Sequence, residues 1–193
     1  MPLPFPTLET NRLVLREIVE ADAPALFRIH GDADLMRWFG SDPVADLAGA
    51  HKLVKLFSDW RSLPNPGVRW GIQVKGSSAI IGSAGLFAWN RQWRKCTVGY
   101  ELCREAQGHG YMHEALNTCL AWGFERMELN RIEALVHPAN QASINSVSKL
   151  GFTLEGLLRE VAFWSGAFHD MQQYSLLRRD WLAVRSTAPL AST

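Results

Sequence analysis

Residues 12–18 (RLVLREI) alternate apolar and charged side chains, the period of a strand with one wet face. Asp22 stands just before Pro24, a favoured helix start. Beyond it Ala25, Leu26, Ile29, Leu35, Met36 and Trp38 recur at a helical spacing that Gly31 interrupts. Val44, Leu47, Leu53, Val54, Leu56, Phe57 and Trp60 mark a second helical stretch over 44–61, and Pro64-Asn65-Pro66-Gly67 is a turn. Residues 68–75 and 79–89 predict a hairpin closed by Gly76-Ser77-Ser78, and a polar connection over 90–95 leads to a strand over 96–102. A helix follows to about Met127. Residues 131–136 (RIEALV) are a further strand, ended by Pro138. Asn140 caps a helix over 141–150 that stops at Gly151. Strands over 152–158 and 170–177, joined by a loop with Ser165-Gly166, complete an order β-αα-βββ-α-β-α-ββ. That order predicts an α/β (α+β) chain: a mixed sheet with helices on its faces.

Composition narrows the function. The 193 residues predict one domain over 1–185, with a mobile tail over 186–193. Twenty basic and 19 acidic residues leave a net charge of +1, which gives no electrostatic grip on nucleic acid. Cys96, Cys103 and Cys119 form neither a paired framework nor a metal motif, so no metal is expected and a reducing, cytoplasmic setting fits. The N-terminal MPLPFPTLET has no charged-then-apolar signal pattern, and no run reaches the roughly 20 apolar residues of a membrane span.

The chemistry concentrates in VGYELCREAQGHGYMHEAL (98–116). A strand runs into a loop with Gly108 and Gly110, and the loop opens into a helix. Glycines let a backbone lie close to a ligand. The first helical N–H groups lack partners and carry the positive end of the helix dipole. Together they predict a site for a phosphate-bearing cofactor. The dinucleotide fingerprint would need a glycine where His113 stands, and the Gly-Lys-Ser/Thr of a P-loop is absent.

Four segments, in order, resemble the GCN5-related N-acetyltransferases, within them the branch of ribosomal-protein N-terminal acetyltransferases. They are LETNRLVLREIVEADAPALFRI (8–29), VGYELCREAQGHGYMHEAL (98–116), HPANQASINSVSKLGF (137–152) and DMQQYSLLRRDW (170–181). The resemblance implies a mostly antiparallel sheet whose central parallel strands, 97–102 and 131–136, splay apart to receive acetyl-CoA. It sets the pyrophosphate over the backbone of Gln107, Gly108, His109, Gly110 and Tyr111. It also gives Asn140 to the pantetheine arm, and Tyr174 takes a common position whose plain role is core packing. Glu105 departs from the Gln or Arg common at its position, with Arg104 and His109 to offset it.

Acetyl transfer needs a neutral amine, a donor for the oxyanion and a partner for the departing thiolate. The resemblance implies that the backbone N–H of Leu102 or Cys103 serves the oxyanion. The tyrosine much of the family uses for the thiolate falls at Val147. In the ribosomal-protein branch a serine takes that part, here Ser143, whose alternative role is helix capping. Glu101, then His137, are the candidate bases, and solvated strand ends are the plain alternative for both. A lysine amine of pKa about 10.4 is neutral about one time in 2,500 at pH 7, and an α-amine of pKa about 7.8 roughly one time in seven. An α-amine therefore suits a site without a strong base. The resemblance implies that the acceptor enters between the first two helices and the last hairpin, where Trp38, Phe39, Trp164 and Phe168 fall, with Trp89 and Trp93 near the third hairpin. Asp170 is either a counter-charge for the amine or a strand start, and Arg178-Arg179 a solvated strand end. The expected activity is acetyl transfer from acetyl-CoA to a small amine or a peptide or protein N-terminus, by a monomer or homodimer. The alternative is a catalytically weak acyl-CoA-binding module.

Overall fold

The computed structural model describes residues 4–187. Eight strands form one sheet in the order β1-β2-β3-β4-β5-β6-β8-β7. They are β1 (Leu8–Glu9), β2 (Leu13–Glu17), β3 (Val68–Val74), β4 (Ile80–Asn90), β5 (Lys95–Leu102), β6 (Arg131–Val136), β7 (Thr153–Trp164) and β8 (Ala167–Leu177). The helices are α1 (Ala23–His30), α2 (Ala33–Met36), α3 (Leu47–Asp59), α4 (Tyr111–Arg126), α5 (Gln141–Lys149) and α6 (Arg178–Thr187).

The alternation in RLVLREI takes effect as predicted. Leu13 and Leu15 are fully buried on one face of the sheet, with Trp70, Leu86, Leu116, Leu120 and Phe124, where α4 packs. Leu26, Val54 and Phe57 of α1 and α3 close on Ile18 and Ile80 in a second cluster. Burying one such large apolar side chain contributes roughly 1.5–3 kcal/mol. Two clusters around one sheet therefore hold the chain without staples.

Every strand pair is antiparallel except β5–β6, which is parallel. Their pairing covers only Lys95↔Arg131, Cys96↔Ile132 and Thr97↔Glu133. Both strands continue beyond that, to Leu102 and Val136, so a gap opens between them. At the paired end Lys95 Nζ lies 3.2 Å from Glu133 Oε1, which also accepts from Arg131 Nε at 2.8 Å.

The C-terminal part departs from the expected boundaries. The last two strands run to a tight hairpin, with Ser165-Gly166 as its turn, where shorter strands and a longer loop were expected. Arg159 and Glu160 do not end β7. A bulge between Leu158 and Ala162 absorbs them, with Glu160 at φ 50° and its N–H donating to Asp170 Oδ1 at 2.8 Å. Arg178 and Arg179 begin α6 and are no strand end: Arg178 Nη1 donates to the Phe124 carbonyl at 2.6 Å, and Trp181 stacks on Phe124. The tail expected over 186–193 lies largely outside the described residues.

Candidate active site

Gly108 and Gly110 both take φ +78°, a left-handed backbone that favours glycine. Gly110 is the N-cap of α4 and makes no side-chain cap, so the first N–H groups of the helix stay open to an anion. Arg12 braces the loop: its guanidinium donates to the His109 carbonyl at 3.0 Å and to Glu114 at 2.7 Å, and lies over the Tyr111 ring. Beside Gly110 a cavity of about 750 Å³ is lined by Arg12, His113, Asn117 and Lys149 among others. The Gln107 N–H is engaged with the Arg104 carbonyl at 3.1 Å, so the loop fits a pyrophosphate through its later amides, from Gly108 onward, with the cavity beside them. Glu105 is exposed and held below the usual carboxylate value, first by a backbone hydrogen bond, with Arg28 and Arg104 contributing. Arg104 is itself engaged, 2.8 Å from Asp32 and 3.2 Å from Asp34.

The two amides proposed for the oxyanion separate. Cys103 N–H donates to the Ile81 carbonyl at 2.8 Å, which ties it to β4 and removes it from the gap. Successive amides of a strand point to opposite sides. The N–H groups of Leu102 and Tyr100 therefore face the β6 side, where pairing has stopped. Leu102 remains the candidate, and Cys103 is corrected.

Glu101 lies on the opposite face of β5 from Tyr100. Its side chain is 7% exposed, paired with Arg69 Nη2 and accepting from Ser83 Oγ, with His30 Nε2 at 3.3 Å. Arg69 Nε also donates to Ser83 Oγ at 2.7 Å, and its guanidinium lies 4.7 Å from the centre of the Phe57 ring. Burial pushes the Glu101 carboxyl up. Arg69, His30 and Ser83 outweigh it and hold the group below its ordinary value. This is a closed ion-pair network and no solvated strand end. Arg69, Ser83 and His30 are absent from the sequence reading. The one local signal was an arginine inside the otherwise apolar strand VRWGIQV.

His137 follows β6. Its Nδ1 accepts the Ala139 N–H at 3.1 Å, so the neutral ring carries its proton on Nε2. Burial, then His169, holds the imidazole below its usual value, and Asp170 opposes them. Trp38 stacks on His137 at 4.0 Å, His169 stacks on Trp164 at 3.6 Å, and the His137 and His169 rings lie 5.5 Å apart. Trp164 Nε1 donates to the Arg37 carbonyl at 3.1 Å, and Ser165 N–H donates to Asp42 at 2.6 Å. The β7–β8 hairpin is thereby tied to the segment after α2. Trp38 and Trp164 are linked through His137, with His169 beside them, and Trp164 is buried. Phe168 does not join them: it is 66% exposed and packs on Phe163. Asp170 serves the β7 bulge. Trp93 is exposed, and Trp89 lines a separate cavity with Pro4, Pro6 and Trp122.

Asn140 Oδ1 accepts the Ser143 N–H at 3.1 Å and caps α5, leaving its NH₂ for a ligand. Ser143 does not cap. Its Oγ lies 2.7 Å from the Tyr100 hydroxyl. Val147, one turn on, is fully buried core, and Tyr174 is 4% exposed in the same core.

Comparison with known proteins agrees with this geometry. The model of the acetyltransferase (GNAT) domain matches residues 12–153, and the chain belongs to that family. It is an acetyl-CoA-dependent N-acetyltransferase. An uncharacterized N-acetyltransferase of Bacillus subtilis, YoaA, is 32% identical over 174 residues, covering 90% of this chain and 98% of that protein. The [ribosomal protein uS5]-alanine N-acetyltransferase of Escherichia coli is 26% identical, covering 95% and 96%. In fold the chain is similar to RimL, the ribosomal L7/L12 alpha-N-protein acetyltransferase solved with coenzyme A, at TM-score 0.79 and 22% identity over 89% of this chain and 98% of that one. Among the described residues no group of side chains is arranged to hold a metal, and no helix is long and apolar enough to cross a membrane.

Proposed function

We propose that the acceptor is a primary α-amine, of a protein or peptide N-terminus or a small amino compound, which attacks directly in a ternary complex. The observation that carries this is the absence of a free base at either candidate. The Glu101 carboxylate is spent on Arg69, Ser83 and His30, and the His137 Nδ1 lone pair on a backbone N–H. The amine must therefore arrive neutral. Trp38, His137 and His169 form an aromatic surface over the buried Trp164, and such a surface suits an uncharged amine on an apolar or aromatic body. The name of the uS5-alanine relative supports an α-amine. The Leu102 N–H faces the acetyl oxygen, the amides of Gly108 to Tyr111 hold the pyrophosphate while that of Gln107 stays on the Arg104 carbonyl, and Asn140 holds the pantetheine. Residues 1–185 act as one catalytic unit, monomer or homodimer, in the reducing cytoplasm, where Cys96 and Cys119 stay buried thiols.

The test is thiol release with an alanyl peptide against the same peptide blocked at its N-terminus and carrying a lysine. At pH 7 the neutral fractions alone favour the α-amine by roughly 350-fold. The kcat/KM should rise with pH and level off at the pKa of each amine. A plateau at one pKa common to both amines would reveal an enzyme base and overturn the reading. Acetyl-CoA binding without thiol release for any amine would instead favour the weak binding module, which Val147 and the engaged bases also suit.

A further inference from the structure

Beyond Thr97 and Glu133 no sheet hydrogen bond joins β5 to β6. One side-chain contact does span from β5 to the helix after β6: the Tyr100 hydroxyl lies 2.7 Å from Ser143 Oγ and 3.5 Å from the Ser143 carbonyl. Tyr100 packs against the main core cluster, on the face of β5 opposite Glu101. Position 147, where a hydroxyl is missing, lies one helical turn past Ser143 on the same side of α5. A phenol thus reaches from the neighbouring strand the helix that lacks one.

We propose that Tyr100 is a positioning residue for thiolate departure: its O–H donates to Ser143 Oγ and leaves the Ser143 proton free to donate to the coenzyme A sulfur. This rests on the acetyl-transfer reading and adds a residue to it. Burial pushes the Tyr100 phenol up to about 12, so it keeps its proton throughout the working range and is able to donate to Ser143 Oγ, the direction the proposal assigns to a pair whose geometry admits either. A serine hydroxyl that accepts one bond can give its own proton to another acceptor. When the acetyl carbon–sulfur bond breaks, the pair goes to sulfur, and the Ser143 hydrogen bond stabilises that charge. The thiolate then takes a proton from water, and the amine nitrogen gives one to water, so the protons balance. Tyr100 and Ser143 end as they began.

The consequence can be read without any acceptor. The complex with free coenzyme A is titrated by the ultraviolet absorbance of its thiolate, for the wild type, Tyr100→Phe and Ser143→Ala. The bound thiol of the wild type should ionise about one pH unit below that of free coenzyme A titrated alongside, a tenfold effect, and both variants should return it to the free value. In turnover, Tyr100→Phe should lower kcat about tenfold with the KM for acetyl-CoA within twofold. The double variant should be no worse than Ser143→Ala, because the two hydroxyls act as a unit. Unchanged thiol ionisation in Tyr100→Phe, with coenzyme A still bound, overturns the proposal even if no amine has been found. A wild type that shifts the thiol yet acetylates no α-amine refutes the acceptor reading and leaves this inference standing.

Discussion

Replacing Arg69 by Met removes the cation that holds Glu101 in the interior. Both side chains are nearly sealed, 3% and 7% exposed, so water cannot substitute for the guanidinium. Removing one partner of such a pair typically costs 3–5 kcal/mol, because the other charge stays behind. Ser83 and His30 still face the carboxylate, which sets the expectation at the lower end, about 3 kcal/mol. For a chain of this size each kcal/mol moves the melting temperature by about 2–4 °C, so a fall of about 6–12 °C follows. Urea unfolding by tryptophan fluorescence and a thermal melt measure both. The double variant Arg69→Met/Glu101→Leu removes both charges and should recover at least half of the loss. The pH dependence has a definite sign. In the wild type the folded carboxyl lies below its unfolded value of about 4.3, so its contribution is complete above that value and is lost as pH falls through the folded one. In Arg69→Met the buried carboxyl moves up, and the deficit should shrink as acid protonates it. A loss under 1 kcal/mol at pH 7, or a double variant as unstable as the single, would refute the assignment of this network as a closed ion pair.

Two further variants probe the cofactor side. Gly110→Ala forces an L-residue to φ +78° at the mouth of α4 and should weaken acetyl-CoA binding about tenfold by calorimetry. Gly76→Ala, at φ +86° in a distant hairpin loop, should cost similar stability and leave that affinity unchanged. Asn140→Ala removes the cap on α5 and should cost about 1 kcal/mol in denaturant. An accompanying loss of acetyl-CoA affinity would separate a pantetheine contact from capping alone.

What the sequence revealed was local. Gly108 and Gly110 announce a left-handed loop because the demand falls on those residues themselves, and Asn140 announces a cap because the N–H it accepts from lies three residues on. The partners of Glu101 were hidden because they arrive from α1, β3 and β4, and only the order of the sheet brings Arg69 and Ser83 beside it. The same order decides between Leu102 and Cys103: which amide faces the gap depends on which strand lies on each side. Tyr100 was visible as a residue, but its partner stands 43 positions away. The length of β7 was obscured because the charged Arg159-Glu160 step reads as a strand end until a bulge is available to hold it.

The short parallel pairing of β5 and β6 has a mechanical side. In the sheet, β1–β5 and the group β6, β8 and β7 are joined by three residue pairs, bolted by Lys95, Glu133 and Arg131. From Thr97 to Leu102 the arm of β5 that leaves β6, still paired with β4, is about 17 Å long at a strand rise of about 3.3 Å per residue. A rotation of about 5° at the bolt therefore swings the tip of the arm by about 1.5 Å, and a misplacement near 1 Å is enough to cost a reaction about a hundredfold. The sheet is a lever whose fulcrum has a buried pair, Cys96 and Ile132, under a partly exposed charge cluster. Charges that never meet the acetyl group set the width of the jaw in which it reacts.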